Sequence, residues 1–153
     1  MFYLSHSSQE TKKFAIEFAL KLSMGTVVAL EGDLGSGKTT FVQGLAEGFG
    51  IKDIVRSPSF TLMNIYPFQS VDSEKHYFVH VDAYRLDSAA KLEETGLDEW
   101  IGRKDAIIFI EWPERFELPI AFDWKIVFAY GDEEETREIL IRHLLSHKDS
   151  YPT

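Results

Sequence analysis

Gly32-Asp33-Leu34-Gly35-Ser36-Gly37-Lys38-Thr39 decides the architecture, because it lies between two segments of different pattern. Before it, Thr26-Val27-Val28-Ala29-Leu30-Glu31 is a nearly uninterrupted apolar run, the pattern of a strand covered on both faces of a parallel sheet. After it, Phe41, Val42, Leu45 and Ala46 recur at helical spacing through residues 38–48. Strand, glycine-rich loop and helix are the context in which G-x-x-x-x-G-K-[ST] forms a phosphate-binding loop. Glycines at 32, 35 and 37 permit a turn this tight, and allow the backbone of Asp33, Gly35, Ser36 and Gly37 to approach phosphate oxygens. The helix adds unpaired N–H groups and the positive end of its dipole. In this reading Lys38 bridges the β- and γ-phosphates, the Thr39 hydroxyl ligates Mg²⁺, and Thr40 contacts the α-phosphate.

A hydrated Mg²⁺ takes few protein oxygens, so carboxylates at the ends of neighbouring strands are expected to steer it. Phe78-Val79-His80-Val81-Asp82 and Ala106-Ile107-Ile108-Phe109-Ile110-Glu111 each place one after an apolar run, where open α/β sheets bind ligands. Lys38, Asp82 and Glu111 are the expected catalytic residues, and Thr39, Glu111 and Asp82 the expected metal set. Glu111 is assigned to the metal and Asp82 to a metal-bound or attacking water, although these two roles are exchangeable. The alternative for each carboxylate is a solvated strand end. Ser57-Pro58-Ser59-Phe60-Thr61 is either a segment sensing the γ-phosphate through Ser59 and Thr61, or an ordinary proline turn. Arg85 suits either transition-state charge or a structural ion pair. Trp112 directly follows Glu111 and is expected to face the site.

Around this centre, 153 residues with 44% apolar content suit one domain spanning 1–153, with about 146–153 as a tail. Residues 8–22 pattern as an amphipathic helix, 60–66 and 76–86 as strands joined by a polar mobile connection over 67–75, and 93–100 as short helical turns divided at Gly96. Residues 124–130 and 137–143 read as a hairpin with a charged turn. His76 and His80, four apart along a strand, are separated by roughly 13 Å and do not share one metal; a site at His143 and His147 is also disfavoured. The absence of cysteine removes disulfides and thiolate chemistry. No secretory leader and no spanning apolar run are visible, so a cytoplasmic location is expected. A net charge of −9 argues against direct nucleic-acid binding, so any RNA connection is expected to run through a partner.

Taken together, residues 32–41, SPSFT at 57–61, HVDAYRL at 80–86, GLDEW at 96–100 and IEWPE at 110–114 resemble the bacterial TsaE (YjeE) ATPases, and the similarity covers about residues 8–130. The phosphate loop is widespread, but H-x-D-x-Y-R and E-W downstream of it make the set specific. The resemblance implies a P-loop NTPase-like, mostly parallel sheet flanked by helices, with antiparallel C-terminal strands. It also implies ATP/ADP and Mg²⁺ as ligands, slow intrinsic hydrolysis, and a role in forming threonylcarbamoyladenosine on tRNA. Partners of the TsaD/TsaB type follow from it, with tRNA engaged only indirectly. It places Thr11 near the nucleotide, and assigns Lys38 and Thr39 to phosphate and metal, Asp82 to the catalytic site and Glu111 to the metal, with Trp112 beside it. Position 59 departs from the family in carrying Ser where Thr is common, which keeps the hydroxyl.

Two other function classes share the loop. A small-molecule kinase would need an arginine-rich lid, and no segment has that composition. A non-catalytic adaptor would use the nucleotide only to stabilise a binding face. GTP specificity is disfavoured, because Arg103-Lys104-Asp105 lacks the Asn of a guanine-reading N-K-x-D sequence.

Overall fold

The computed structural model describes residues 1–58, 61–115 and 120–144, which form a seven-stranded sheet with helices on both faces. In chain order the elements are β1 (Phe2–Ser5), α1 (Ser8–Ala19), β2 (Val27–Glu31), α2 (Lys38–Gly48), β3 (Met63–Gln69), β4 (Lys75–Asp82), α3 (Ala89–Glu94), β5 (Ala106–Glu111), β6 (Trp124–Tyr130) and β7 (Arg137–His143). Single 3₁₀ turns occupy Leu97–Glu99 and Pro113–Arg115. The spatial order is β1-β7-β6-β2-β5-β4-β3. β2 runs parallel to both β5 and β6, and β4 parallel to β5, so the centre is parallel. Both flanks are antiparallel, through β3–β4 on one side and β6–β7–β1 on the other.

The central strands carry apolar side chains on both faces, as their uninterrupted runs require. Val28, Leu30, Phe78, Ile107, Phe109 and Ile126 point to the face covered by α1 and α2, whereas Val27, Val79, Val81, Ile108 and Ile110 meet Leu86, Leu92 and Leu97 on the other. Phe18, Phe41, Phe78 and Phe109 are fully buried, and each such ring contributes about 1.5–3 kcal/mol. Strand alternation then fixes the sides of the polar residues: His80 and Asp82 share the face of Phe78, and Glu111 that of Phe109.

Helix α1 is capped by Ser7, whose backbone is extended (φ −161°) and whose hydroxyl accepts the Glu10 N–H. It lies close against α2 because α2 has glycine where the helices cross. A Cβ on Gly44 would stand 2.5 Å from the Lys12 carbonyl oxygen, and one on Gly48 2.6 Å from the Ala19 Cβ. This contact sets the start of α1, and Thr11 with it, beside the phosphate loop.

Three expectations shift. The strand expected over 60–66 lies at Met63–Gln69, with Phe60 outside the described residues, and it runs through Pro67 because β3 is an edge strand whose outer side needs no ladder donor. The connection expected over 67–75 is therefore shortened to a turn over 70–74, in which Ser73 has φ +64°, with 67–69 and 75 in strands. The strand expected to reach Leu86 ends at Asp82, where the Asp82 carboxylate accepts the Tyr84 N–H and starts a turn. β1, which the pattern did not suggest, pairs antiparallel with β7. The tail expected over about 146–153 lies outside the described residues.

Candidate functional site

β2 delivers the chain to the phosphate loop at the C-terminal edge of the parallel strands, and α2 leaves from it. Gly32, Gly35 and Gly37 take φ of +147°, +74° and +104°, angles that L side chains rarely adopt. At Gly32 space is also decisive, since an added Cβ would lie 2.6 Å from the Phe128 carbonyl oxygen. Gly37 caps α2 in a left-handed conformation, which leaves the helix N-terminus facing the loop.

Asp82 and Glu111 are register partners at the ends of adjacent parallel strands. Glu111 is buried, and its two oxygens are divided: Oε2 pairs with His80 Nε2 at 2.7 Å, and Oε1 accepts the Thr39 hydroxyl at 3.4 Å. His80 is wholly buried, and its Nδ1 has no hydrogen-bond partner among the described residues. With Glu111 ionised, Nε2 carries the proton and the ring holds the carboxylate in place. Asp82 Oδ2 accepts the Ser57 hydroxyl at 2.9 Å, and Oδ1 the Tyr84 N–H at 3.0 Å.

Lys38 is 5% exposed, and its ammonium donates to the carbonyl oxygens of Gly32 and Asp33, the latter at 2.9 Å. It also sits 4.3 Å from the centre of the Trp112 ring. Burial pulls its pKa below the ordinary 10.5, a shift opposed by Glu111, Glu114, Asp82 and Asp33. The same desolvation raises the Glu114 carboxyl, with Glu31 adding to the effect. Trp112 has φ +61° and packs on Tyr84, with ring centres 4.9 Å apart.

Two clefts of about 370 Å³ flank the loop. The first is lined by Lys38, Thr39, Ser57, Asp82, Glu111 and Trp112, together with Tyr84 and Arg85. Thr39, Asp82 and Glu111 offer only oxygen, the donor type that hard divalent cations such as Mg²⁺ take. The second is lined by Ser7, Ser8, Thr11, Thr40, Glu134 and Arg137. Gly35, Gly37 and Thr40 belong to both. In the loop itself the Asp33 carbonyl closes the turn onto Ser36 N, and the buried Ser36 hydroxyl has no partner among the described residues.

The structure thus gathers Lys38, Thr39, Thr40, Asp82, Glu111 and Trp112 into one cleft, and Thr11 into its neighbour. Thr11 is buried, its hydroxyl 2.7 Å from that of Ser5. Thr61 is not among the residues lining either cleft; its hydroxyl donates to Asn64 at the approach to β3. Ser59 lies outside the described residues. Among the described residues of that segment, the hydroxyl that reaches the site is that of Ser57. Sequence reasoning also gave no role to His80, although it begins the H-x-D-x-Y-R pattern and is a polar residue at an inward position of an apolar strand. Tyr130 and Arg137, which touch the loop from the β6–β7 hairpin, left no signal of that kind.

Comparison with known proteins places this geometry. A family model described as "Threonylcarbamoyl adenosine biosynthesis protein TsaE" matches residues 5–139. The chain is 38% identical to the tRNA threonylcarbamoyladenosine biosynthesis protein TsaE of Bacillus subtilis, over 86% of this chain and 78% of that one. It is 36% identical to the Nostoc protein of the same description, over 82% and 75% of the two chains. A crystal structure of Bacillus subtilis YdiB superposes with a TM-score of 0.70 at 33% identity, covering 91% of this chain and 82% of that one. Both clefts and the loop between them, from Ser7 to Arg137, fall inside the matched region, and the chain belongs to the TsaE family.

Proposed function

We propose that the protein is a Mg²⁺-dependent ATP-binding and ATP-hydrolysing component of the machinery that makes N6-threonylcarbamoyladenosine on tRNA, acting in the cytoplasm through partners of the TsaD/TsaB type. The observation that carries this reading is the convergence of Thr39, Asp82 and Glu111, from three separate elements, on one cleft beside the Lys38 loop. The relatives' role in tRNA threonylcarbamoyladenosine biosynthesis supplies the pathway. Among the described residues, no helix is long and apolar enough to cross a membrane.

In this reading the loop amides and the α2 N-terminus hold the phosphates, and Lys38 exchanges the carbonyls of Gly32 and Asp33 for phosphate oxygens. Thr39 and Glu111 would hold Mg²⁺, with Asp82 close by. When bound, the ion neutralises charge on the β- and γ-phosphates. Asp82, fixed by Ser57 and the Tyr84 amide, orients the attacking water and accepts its proton. His80 keeps Glu111 turned toward Thr39. Trp112 and Tyr84 exclude bulk water from the side of Lys38.

The test is ATP calorimetry with Mg²⁺, followed by phosphate release with and without the purified partner proteins, for wild type and Lys38→Ala. Partner-stimulated release that Lys38→Ala abolishes supports the proposal. Nucleotide-dependent association without turnover would make the protein an adaptor, phosphate transfer to a metabolite would make it a kinase, and no heat of ATP binding would end all three.

A further inference from the structure

The phosphate loop is gripped from outside by two side chains that belong neither to the core nor to the carboxylate cleft. Tyr130 ends β6 and Arg137 begins β7, and the two are register partners across the mouth of the hairpin. The Tyr130 hydroxyl donates to the Leu34 carbonyl. Arg137 Nε and Nη2 both donate to the Gly35 carbonyl, at 3.4 and 3.3 Å. The guanidinium is anchored in its own hairpin, with Nη1 donating to the carbonyls of Glu134 and Thr136 at 2.7 and 2.8 Å and Cζ 4.8 Å from the Tyr130 ring centre. Tyr130 is half exposed, so burial does not account for its position.

We propose that Tyr130 and Arg137 are positioning residues that hold the phosphate loop in the backbone orientation from which it receives a triphosphate. The inference rests on the nucleotide-binding reading of this loop. In a trans peptide the C=O and N–H point in opposite directions, and the described chain has no cis bond. Holding the Leu34 and Gly35 carbonyls toward the hairpin therefore turns the N–H groups of Gly35 and Ser36 away from it. Ser36 N–H closes the turn onto the Asp33 carbonyl, at 3.1 Å. A loop with three glycines at positive φ gains much freedom when untethered, and freedom removed in the folded protein need not be removed by the ligand. A side chain at position 35, already disfavoured by φ +74°, would also crowd the Tyr130 hydroxyl, with a Cβ 3.1 Å from it. Arg137 adds a cation to a cleft that otherwise holds Glu134 and Glu135.

A purely structural role for Arg137 would use only its Nη1 bonds within the hairpin and leave exchange at Gly35 unchanged, while lysine, which keeps the charge without the fork, separates charge from geometry. The experiment combines titration with a fluorescent ATP analogue in Mg²⁺, amide hydrogen exchange and thermal unfolding on wild type, Tyr130→Phe, Arg137→Lys and Arg137→Ala. Arg137→Ala and Arg137→Lys are expected to weaken binding about tenfold, the loss of a charge-assisted hydrogen bond, and Tyr130→Phe about threefold. Exchange at Gly35 should accelerate in all three. Wild-type affinity and wild-type exchange at Gly35 would overturn the proposal, as would acceleration confined to residues 131–136 that follows the loss of Tm. Should Arg137→Ala fail to fold, Arg137→Lys and Tyr130→Phe decide the matter. If the wild type binds no ATP analogue, the functional reading fails, while the exchange measurement still reports whether the hairpin holds the loop.

Discussion

The two clefts beside the phosphate loop have the same volume, about 370 Å³, and opposite construction. The first is built on the ends of buried parallel strands: Asp82 and Glu111 sit in register, and each carboxylate is held by two hydrogen bonds. The second is built on the ends of other things, the start of α1 and the mouth of the β6–β7 hairpin, and offers four hydroxyls, one guanidinium and the carboxylates of Glu134 and Glu135. If the protein hydrolyses ATP as proposed, the difference divides the tasks. Groups that must keep position to a fraction of an ångström for proton transfer and metal binding are carried by the rigid sheet. Groups that recognise a bound molecule by hydrogen bonds tolerate the softer frame.

That division predicts a graded series. Glu111→Ala removes the buried carboxylate at the centre of the first cleft, and phosphate release should fall about 10²–10⁴-fold while ATP-analogue affinity changes little. A parallel collapse of affinity would mean that the clefts are not separable. His80→Leu should lower turnover or Mg²⁺ affinity about 10–100-fold, as removing the group that orients a metal ligand does, with His80→Gln recovering part of it. A Mg²⁺ titration of turnover reads both variants. Gly35→Ala, which belongs to both clefts, forces an L side chain to φ +74° against Tyr130, and the strain of about 1–2 kcal/mol should weaken ATP-analogue binding roughly tenfold. Thr11→Val keeps the shape of the second cleft and removes a hydroxyl worth about 0.5–1.5 kcal/mol, so affinity should fall a few-fold with turnover at saturation unchanged. An effect of Thr11→Val on saturated turnover would break the division.

The first cleft was legible in the chain because its parts are local: two apolar runs each end in a carboxylate, and a third ends in a glycine loop. Strand alternation then brings Asp82 and Glu111 onto the face of α2 without further information. The second cleft was not legible, since the partners of Tyr130 and Arg137 lie 96 and 102 residues away and a tyrosine or arginine on a surface strand has no local signature. Gly44 and Gly48 look like flaws in a helix until α1 is seen to need the space. Pro67 suggested a break because the edge position of β3 is a property of the sheet order, which no single segment encodes. In the 57–61 segment, three hydroxyl residues within five positions left the choice of contact open, and the described one is Ser57.

The place of β2 in the sheet order has a consequence for how the molecule is made. Its two hydrogen-bonded neighbours, β5 and β6, are both encoded far downstream, at residues 106–111 and 124–130. On a ribosome, the strand that leads into the glycine turn therefore emerges early and waits without an edge to join. The first cleft waits for Glu111 and Trp112 and the second for Arg137, so full ligand affinity should arise late during translation.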